Sequence, residues 1–135
     1  MTTEEILKNY RRIAVYGMST NPSKAAYFVP ELLASNGYEI FPINPTAENI
    51  MGKKSYKNLM EVEGDIEILN VFRPSDQTVQ VVAEAIERKR LHGDIKVIWL
   101  QEGIYNEEAK ELAIANGFEF VQDRCMKIEF LRLAK

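Results

Sequence analysis

Ile13-Ala14-Val15-Tyr16-Gly17-Met18-Ser19-Thr20-Asn21-Pro22-Ser23-Lys24 is the stretch of sequence that decides the fold. Its first four residues form an apolar run, which breaks at Gly17 into hydroxyl and amide side chains and ends at Lys24. This order is typical of a buried strand that leads through a phosphate-binding loop into a helix, whose free N–H groups and positive end attract an anion. The stretch therefore predicts a site for a nucleotide-like anion in the loop.

Length and composition fit one ordinary domain. The 135 residues are 46% apolar, which suffices for a single core, and we expect one domain over residues 1–135. A net charge of −3 provides no basic field for nucleic acid. No apolar stretch approaches the roughly 20 residues that cross a bilayer, and one cysteine cannot form an internal disulfide. We expect a cytoplasmic protein with neither a nucleic-acid nor a membrane partner.

Apolar runs and helical periodicities alternate along the chain. Strands are predicted at 13–16, 39–43, 66–71, 95–100 and 118–121, and helices at 4–9, 27–36, 75–91, 106–116 and 127–133. Pro30 is compatible with the second helix only in its first turn, so we expect that helix to begin late. The alternation predicts an α/β fold with a doubly wound, five-stranded parallel sheet, Rossmann-like, in the strand order 3-2-1-4-5.

In such a sheet, every loop that follows a strand lies at the carboxyl edge, where ligands bind. The loops at this edge are 17–24, 44–45, 72–75, 101–103 and 123–125. The only histidine, His92, precedes a strand and belongs to the opposite edge. This placement excludes a nucleophilic pair of His92 with Cys125, and it leaves no convincing set of metal ligands.

The type of nucleotide is constrained by two departures from the dinucleotide-binding pattern. That pattern needs three glycines in the first turn and an acid after the second strand. Here Gly17 stands alone, and the second strand ends in Asn44-Pro45. An NAD(P)-binding oxidoreductase or redox sensor with a degenerate glycine loop remains the alternative, and the fold by itself does not exclude flavodoxin-like or receiver-like proteins.

Five short motifs occur in order at the ends of the predicted strands. They are Ile13-Ala14-Val15-Tyr16-Gly17-Met18-Ser19, Pro42-Ile43-Asn44-Pro45, Val71-Phe72-Arg73, Val97-Ile98-Trp99-Leu100-Gln101-Glu102-Gly103 and Asp123-Arg124-Cys125. In this order and spacing the chain resembles stand-alone CoA-binding domain proteins over residues 12–133. That family is similar to the CoA-binding domain of the succinyl-CoA synthetase alpha subunit and of related acyl-CoA ligases.

The resemblance implies a site for CoA or an acyl-CoA at the carboxyl edge. The first loop would hold the phosphates, and its candidate residues are Gly17, Met18, Ser19, Thr20, Asn21, Ser23 and Lys24. The adenosine would lie against Asn44 and Pro45. The adenine or the start of the pantetheine arm would be flanked by Phe72, Arg73 and Pro74. The pantetheine side would be lined by Gln101, Glu102 and Gly103 and closed by Arg124 and Cys125.

The same residues have structural interpretations that the sequence leaves open. Gly17 could serve a tight turn, the loop hydroxyls could cap a helix, and Arg73 could pair with Glu102 or Asp123. Cys125 could be an inert buried thiol, whereas a thiol facing the site could form a mixed disulfide with CoA.

The resemblance also sets expectations about activity. The ligases that carry this domain use a phosphohistidine and nucleotide-binding domains elsewhere in their chains, and the chain shows no counterpart of either. We expect a non-catalytic carrier, sensor or partner subunit without ligase activity of its own. The amphipathic last helix, with Ile128, Phe130 and Leu131, could cover the sheet or pair two chains, and of these we expect a homodimer.

Overall fold

The computed structural model describes residues 1–133 and alternates helices with strands as the sequence predicts. The helices are α1 (Thr3–Asn9), α2 (Ala25–Ala34), α3 (Thr78–His92), α4 (Glu107–Ala115) and α5 (Met126–Leu133). The strands are β1 (Arg12–Tyr16), β2 (Glu39–Ile43), β3 (Asn49–Ile50), β4 (Lys53–Lys54), β5 (Ile68–Val71), β6 (Val97–Leu100) and β7 (Glu119–Val121). Short 3₁₀ turns cover Leu59–Glu61 and Ser75–Gln77.

Five of the strands form one parallel sheet in the order β2-β1-β5-β6-β7. The Rossmann-like α/β class is therefore confirmed. One detail of the predicted order 3-2-1-4-5 needs correction, because β5, the third long strand, pairs with β1 rather than with β2. Numbered by their order in the chain, these five strands follow the order 2-1-3-4-5.

Pro42 explains why β2 lies at the edge of the sheet. Proline has no N–H and is tolerated in a strand only where no ladder hydrogen bond is lost. The carbonyl of Pro42 points away from β1 and accepts a hydrogen bond of 2.9 Å from Tyr56 N, so this side of β2 is covered by a loop. By contrast, all four residues of β5 are buried, as expected of a central strand with both faces covered.

The second helix begins earlier than expected. Pro30 lies inside α2 rather than in its first turn, so the prediction of a late start is wrong. A proline at this position leaves the Ala26 carbonyl without its helical donor. That carbonyl instead accepts a hydrogen bond of 3.1 Å from Ser19 N, so the helix loses no partner.

The sheet separates two apolar layers. One layer contains Ala14, Leu69 and Ile98 with residues of α3 and α4. The other contains Val15, Ile68 and Trp99 with residues of α1, α2 and α5. Within residues 1–133, no helix is long and apolar enough to cross a membrane.

Candidate functional site

The first loop is held together by its own polar side chains. Ser19 Oγ accepts from Asn21 N at 2.9 Å, and Asn21 Oδ1 accepts from both the N–H and the hydroxyl of Ser23, at 3.0 and 2.8 Å. Neither hydroxyl caps α2. Both take part in hydrogen bonds that fix the course of the loop between β1 and α2.

The start of α2 presents unused backbone donors. Lys24 is the N-cap residue, and its side chain makes no capping hydrogen bond within the described chain. Among residues 1–133, no hydrogen bond uses the N–H groups of Ala25 and Ala26. Because helix N-termini carry a partial positive charge, two free N–H groups at this point suit a phosphate oxygen.

Gly17 is required by a close approach between β1 and the end of β5. Its φ is +90°, and a Cβ built there would lie 2.7 Å from the Phe72 carbonyl oxygen and 3.2 Å from Arg73 Cδ. Any larger residue would be strained in backbone and would clash with Phe72. The absence of a side chain lets Arg73 lie directly over the first turn of the loop.

Arg73 carries a charge that no acid neutralises. Its Nε and one terminal nitrogen donate to Gln77 Oε1 at 3.1 and 2.6 Å. The alternatives with Glu102 and Asp123 are wrong, since none of the ion pairs found in residues 1–133 includes Arg73. The exposed guanidinium is therefore oriented by a neutral amide and free to pair with an anion.

Arg73 stands between two depressions at the carboxyl edge. One, the α3 pocket, has a volume of about 520 Å³, within the usual size range of small-molecule sites. Its lining residues come from the ends of β1 and β2, from the loop before the 3₁₀ turn and from one side of α3: Tyr16, Gly17, Ile43, Pro45, Lys57, Asn58, Arg73, Asp76, Gln77, Gln80, Val81 and Glu84.

The second depression, the α2 groove, is shallower and lies on the other side of Arg73. It has a volume of about 460 Å³ and runs from the start of α2 across the residues that follow β5. Its lining residues are Lys24, Ala25, Ala26, Phe72, Arg73, Pro74 and Ile104. The free N–H groups of α2 thus belong to residues that line a groove sharing Arg73 with the α3 pocket.

The inner wall of the α3 pocket contains a hydrogen-bonded tyrosine and glutamate. Tyr16 Oη donates to Glu84, with distances of 2.8 and 3.0 Å to the two carboxylate oxygens. Burial, and then the hydrogen bond to Glu84, raises the pKa of Tyr16 to about 12. The phenol therefore remains a protonated donor at neutral pH.

The outer wall of the α3 pocket is fixed by a buried arginine. Arg88 is 1% exposed and donates to the carbonyls of Leu59, Val62 and Gly64, each at 2.8 Å. It also pairs with Asp94 at 2.9 Å. This clamp attaches the segment after Lys57 and Asn58 to α3, so the two sides of the pocket are held at a fixed separation.

Asn44 stands at the end of β2, where a dinucleotide site would place an acid. Its Nδ2 donates to the Met18 carbonyl at 2.9 Å, and its Oδ1 accepts from Thr46 N and Ala47 N, both at 2.9 Å. The side chain is thus occupied in shaping the loop after β2 and in tying it to the first loop. Its neighbour Pro45 lines the α3 pocket.

The structure does not bring all of the predicted residues to these depressions. Met18 is 1% exposed and packs in the core. Gln101 is buried, and its Oε1 accepts from Met126 N at 3.3 Å. Gly103 N donates to Asp123 Oδ1 at 2.7 Å, which holds the turn after β6. The remaining residues of this group that line neither depression are Ser19, Thr20, Asn21, Ser23, Asn44, Glu102, Arg124 and Cys125.

Cys125 is only partly buried and packs against the second apolar layer. It follows β7, whereas His92 ends α3 before β6, so the two belong to opposite edges of the sheet.

Among residues 1–133, no group of three or more His, Cys, Asp or Glu residues is placed to hold a metal ion.

Sequence reasoning missed the contribution of α3 to the pocket. Gln77, Gln80, Val81 and Glu84 recur at helical spacing and line one wall. Val79, Val82 and Ile86 also recur at helical spacing, and this apolar pattern indicates a core face of the same helix but not a pocket wall. The signal available in the sequence was this row of two amides, one valine and one acid, which lies beside the core face of the helix and is typical of a pocket wall.

Comparisons with known proteins agree with this architecture. A family model described as "CoA binding domain" matches residues 11–130. The chain belongs to this family. It is 38% identical over 125 residues to the uncharacterized protein YneT of Bacillus subtilis, covering 93% of this chain and 89% of that protein.

A longer relative is the alpha subunit of an ADP-forming acetate–CoA ligase II from Pyrococcus furiosus. It is 30% identical over 128 residues, which are 89% of this chain but only 28% of the ligase subunit. Among solved structures, a hypothetical protein from Pyrococcus horikoshii aligns with a TM-score of 0.89 and 34% identity, covering 100% of this chain and 94% of the other. The resemblance stated from the sequence is therefore confirmed at the level of the family.

Proposed function

We propose that this protein binds CoA or an acyl-CoA across the carboxyl edge of its sheet, as a carrier, a sensor or a partner subunit rather than as an independent enzyme. The observation that carries the proposal is the position of Arg73, an unneutralised cation shared by the α3 pocket and the α2 groove. Membership of the CoA binding domain family supports the choice of ligand.

The residues at this edge fit the chemistry of CoA, which joins an adenosine to several phosphates and a long arm. The α3 pocket has apolar surfaces from Ile43, Pro45 and Val81 for a base. Phosphates would be held by Arg73, by Lys57 or Lys24, and by the free N–H groups at the start of α2.

The pantetheine arm would leave along the α2 groove. Phe72, Pro74 and Ile104 supply apolar surface there. In this arrangement Gln101, Gly103 and Asp123 support the turn beside the groove through their hydrogen bonds rather than by touching the ligand. Glu102, Arg124 and Cys125 would meet only the far end of the arm.

The nicotinamide-nucleotide alternative is disfavoured by Asn44. A dinucleotide site uses a carboxylate at the end of the second strand to bind ribose hydroxyls. Here that position holds an amide whose oxygen and nitrogen are both committed to backbone groups. The observed loop therefore lacks the group that would select NAD.

Independent ligase activity is not expected. The part of the Pyrococcus furiosus ligase subunit that matches this chain is 28% of that subunit, so the similarity does not carry the activity of the whole subunit. Its one histidine is exposed at the edge of the sheet opposite the proposed site. The expected role is therefore to present CoA, or to respond to it, in combination with another protein.

Isothermal titration of the reduced, ligand-free protein tests the proposal. We expect saturable binding of CoA and a much weaker response to NAD, NADP, FMN and ATP. Arg73→Ala should weaken CoA binding by about tenfold or more, because a charge-assisted pair to phosphate is lost.

Arg90→Ala is the matched control, since Arg90 is an exposed arginine at the other end of α3, paired with Glu87. It should bind CoA like the parent protein. Preference for NAD would favour the redox alternative, and no binding of any nucleotide would contradict the proposal.

A further inference from the structure

We infer that Glu84, held in place by Tyr16, recognises the exocyclic amino group of adenine and makes the α3 pocket selective for adenine over bases with a carbonyl at the same position. This inference rests on the proposed function and names the residue that would give the site its base specificity.

Glu84 is a carboxylate with unused acceptor capacity. The Tyr16 hydroxyl supplies one proton, shared at 2.8 and 3.0 Å between the two oxygens, whereas a carboxylate offers about four lone-pair sites. Within residues 1–133, no other hydrogen bond and no ion pair involves the Glu84 side chain. A ligand that enters the pocket and carries a donor can therefore satisfy it.

Tyr16 fixes where that carboxylate points. The tyrosine is the last residue of β1, which is a central strand of the sheet. A donor on a rigid strand restricts the rotamers of a long side chain on the neighbouring helix. Glu84 is thus a pre-positioned acceptor rather than a solvated acid.

The α3 pocket is lined by two cations, Arg73 and Lys57, and by two carboxylates, Asp76 and Glu84. Arg73 follows β5 at the carboxyl edge, where it contacts Gln77 at the start of α3. The backbone of Glu84 lies seven residues beyond Gln77, a rise of about 10 Å along the helix. A nucleotide can therefore place its phosphates at Arg73 and the amino group of adenine at Glu84.

The apolar surfaces between these ends suit a planar base. Ile43 and Pro45 come from β2 and its following loop, and Val81 comes from α3. A base placed between them would present its edge toward Glu84. At position 6 adenine offers an N–H donor, whereas hypoxanthine and guanine carry a carbonyl oxygen, which at that position would face the carboxylate acceptor to acceptor.

The size of the expected discrimination follows from the cost of leaving a covered carboxylate oxygen without a donor. Glu84 is partly buried, and a base placed against it would remove water from the acceptor positions that Tyr16 does not use. An unpaired group of this kind lowers the affinity by at least about fivefold and typically by more than tenfold. A carboxylate facing a carbonyl adds repulsion to this loss. We therefore expect a preference for adenine of about tenfold or more.

Direct titration with adenosine 3′,5′-bisphosphate and inosine 3′,5′-bisphosphate tests the inference, because the two probes differ only in the group at position 6 of the base and in the N1 proton that accompanies the inosine carbonyl. The parent protein should bind the adenosine compound about tenfold more tightly or better. Glu84→Gln should reduce the preference to about threefold or less, since an amide can turn to donate to the inosine carbonyl.

Glu87→Gln is the control, because Glu87 lies on the same helix and pairs with Arg90 outside the pocket. It should keep the full preference. Equal binding of the two probes by the parent protein, or an unchanged preference in Glu84→Gln, would overturn the inference while leaving CoA binding intact. Absence of CoA binding would instead remove the proposed function, and this inference with it.

Discussion

The backbone N–H of Ser19 donates to the carbonyl of Ala26 at 3.1 Å. This carbonyl is the one that Pro30, four residues on, cannot use. The proline inside α2 thus frees an acceptor that attaches the first loop to the helix behind it. A residue unfavourable to helix geometry contributes here to the shape of the proposed binding edge.

Pro30→Ala should loosen the first loop without unfolding the protein. An alanine N–H would compete with Ser19 for the Ala26 carbonyl, and a hydrogen bond of this kind contributes about 1 kcal/mol. We expect the Ser19 amide to exchange with solvent roughly 2- to 10-fold faster, measured by hydrogen exchange with NMR detection. Unchanged exchange at Ser19, with the global stability also unchanged, would show that the freed carbonyl does not hold the loop.

Gly17→Ala should destabilise the protein substantially. The φ of Gly17 is +90°, and a Cβ there would lie only 2.7 Å from the Phe72 carbonyl oxygen, so an alanine would be strained and would clash. We expect a loss of roughly 2–4 kcal/mol in the free energy of unfolding. Urea denaturation measures this loss.

Gly37→Ala is the matched control for Gly17→Ala. Its φ is +91°, and a Cβ there would meet nothing within 4 Å. Gly37→Ala should lose only about 1–2 kcal/mol in the free energy of unfolding, because an alanine is strained in this left-handed backbone conformation but meets no clash. Equal losses for the two variants would contradict the close approach between Gly17 and Phe72.

Asp94→Ala should lower the free energy of unfolding, because Asp94 pairs with Arg88 in the clamp. Removing Asp94 leaves the buried guanidinium of Arg88 without its counter-charge, and breaking a buried ion pair in this way costs about 3–5 kcal/mol. Thermal or urea denaturation measures the loss. Glu87→Ala, which removes an exposed pair with Arg90, should have a far smaller effect, and similar losses in both variants would refute the role of the clamp.

Stability should fall at alkaline pH partly because of Tyr16. Its pKa in the folded protein is raised to about 12 from an ordinary value of 10.0, so the folded state holds this proton where the unfolded state releases it. The contribution of Tyr16 to stability is present below pH 10 and is lost as the pH rises toward 12. Urea denaturation across this range should show a shallower decline for Tyr16→Phe than for the parent protein, and parallel declines would contradict the assignment.

Much of the fold could be predicted because each strand of the sheet corresponds to an apolar run that is bounded by polar turn residues. Each of the five predicted strands has a counterpart in the structure. The exact strand order was less accessible, because crossover rules allow the third strand to return to either side of the first pair. Pro42 was an available clue, since a proline in β2 favours an edge position.

The sequence could assign the candidate residues to the carboxyl edge, but it could not tell which of them line the two depressions there. Loop residues such as Ser19 and Asn21 have the chemistry of phosphate ligands, yet Ser19 Oγ accepts from the backbone N–H of Asn21, and Asn21 Oδ1 accepts from the Ser23 hydroxyl. Glu84 was overlooked because its place in the pocket depends on how α3 packs against β1. Sequence spacing can assign residues to a helix face, but only packing decides which neighbouring surface that face meets.

Binding of CoA at the carboxyl edge can be tested by following the backbone amide resonances of the protein during titration with CoA. We expect saturable shifts that are largest at Gly17, Ala25, Ala26 and Arg73, with little change at Gly93 on the opposite edge. Shifts concentrated at the opposite edge or on α5, or no shifts at a large excess of CoA, would contradict this expectation.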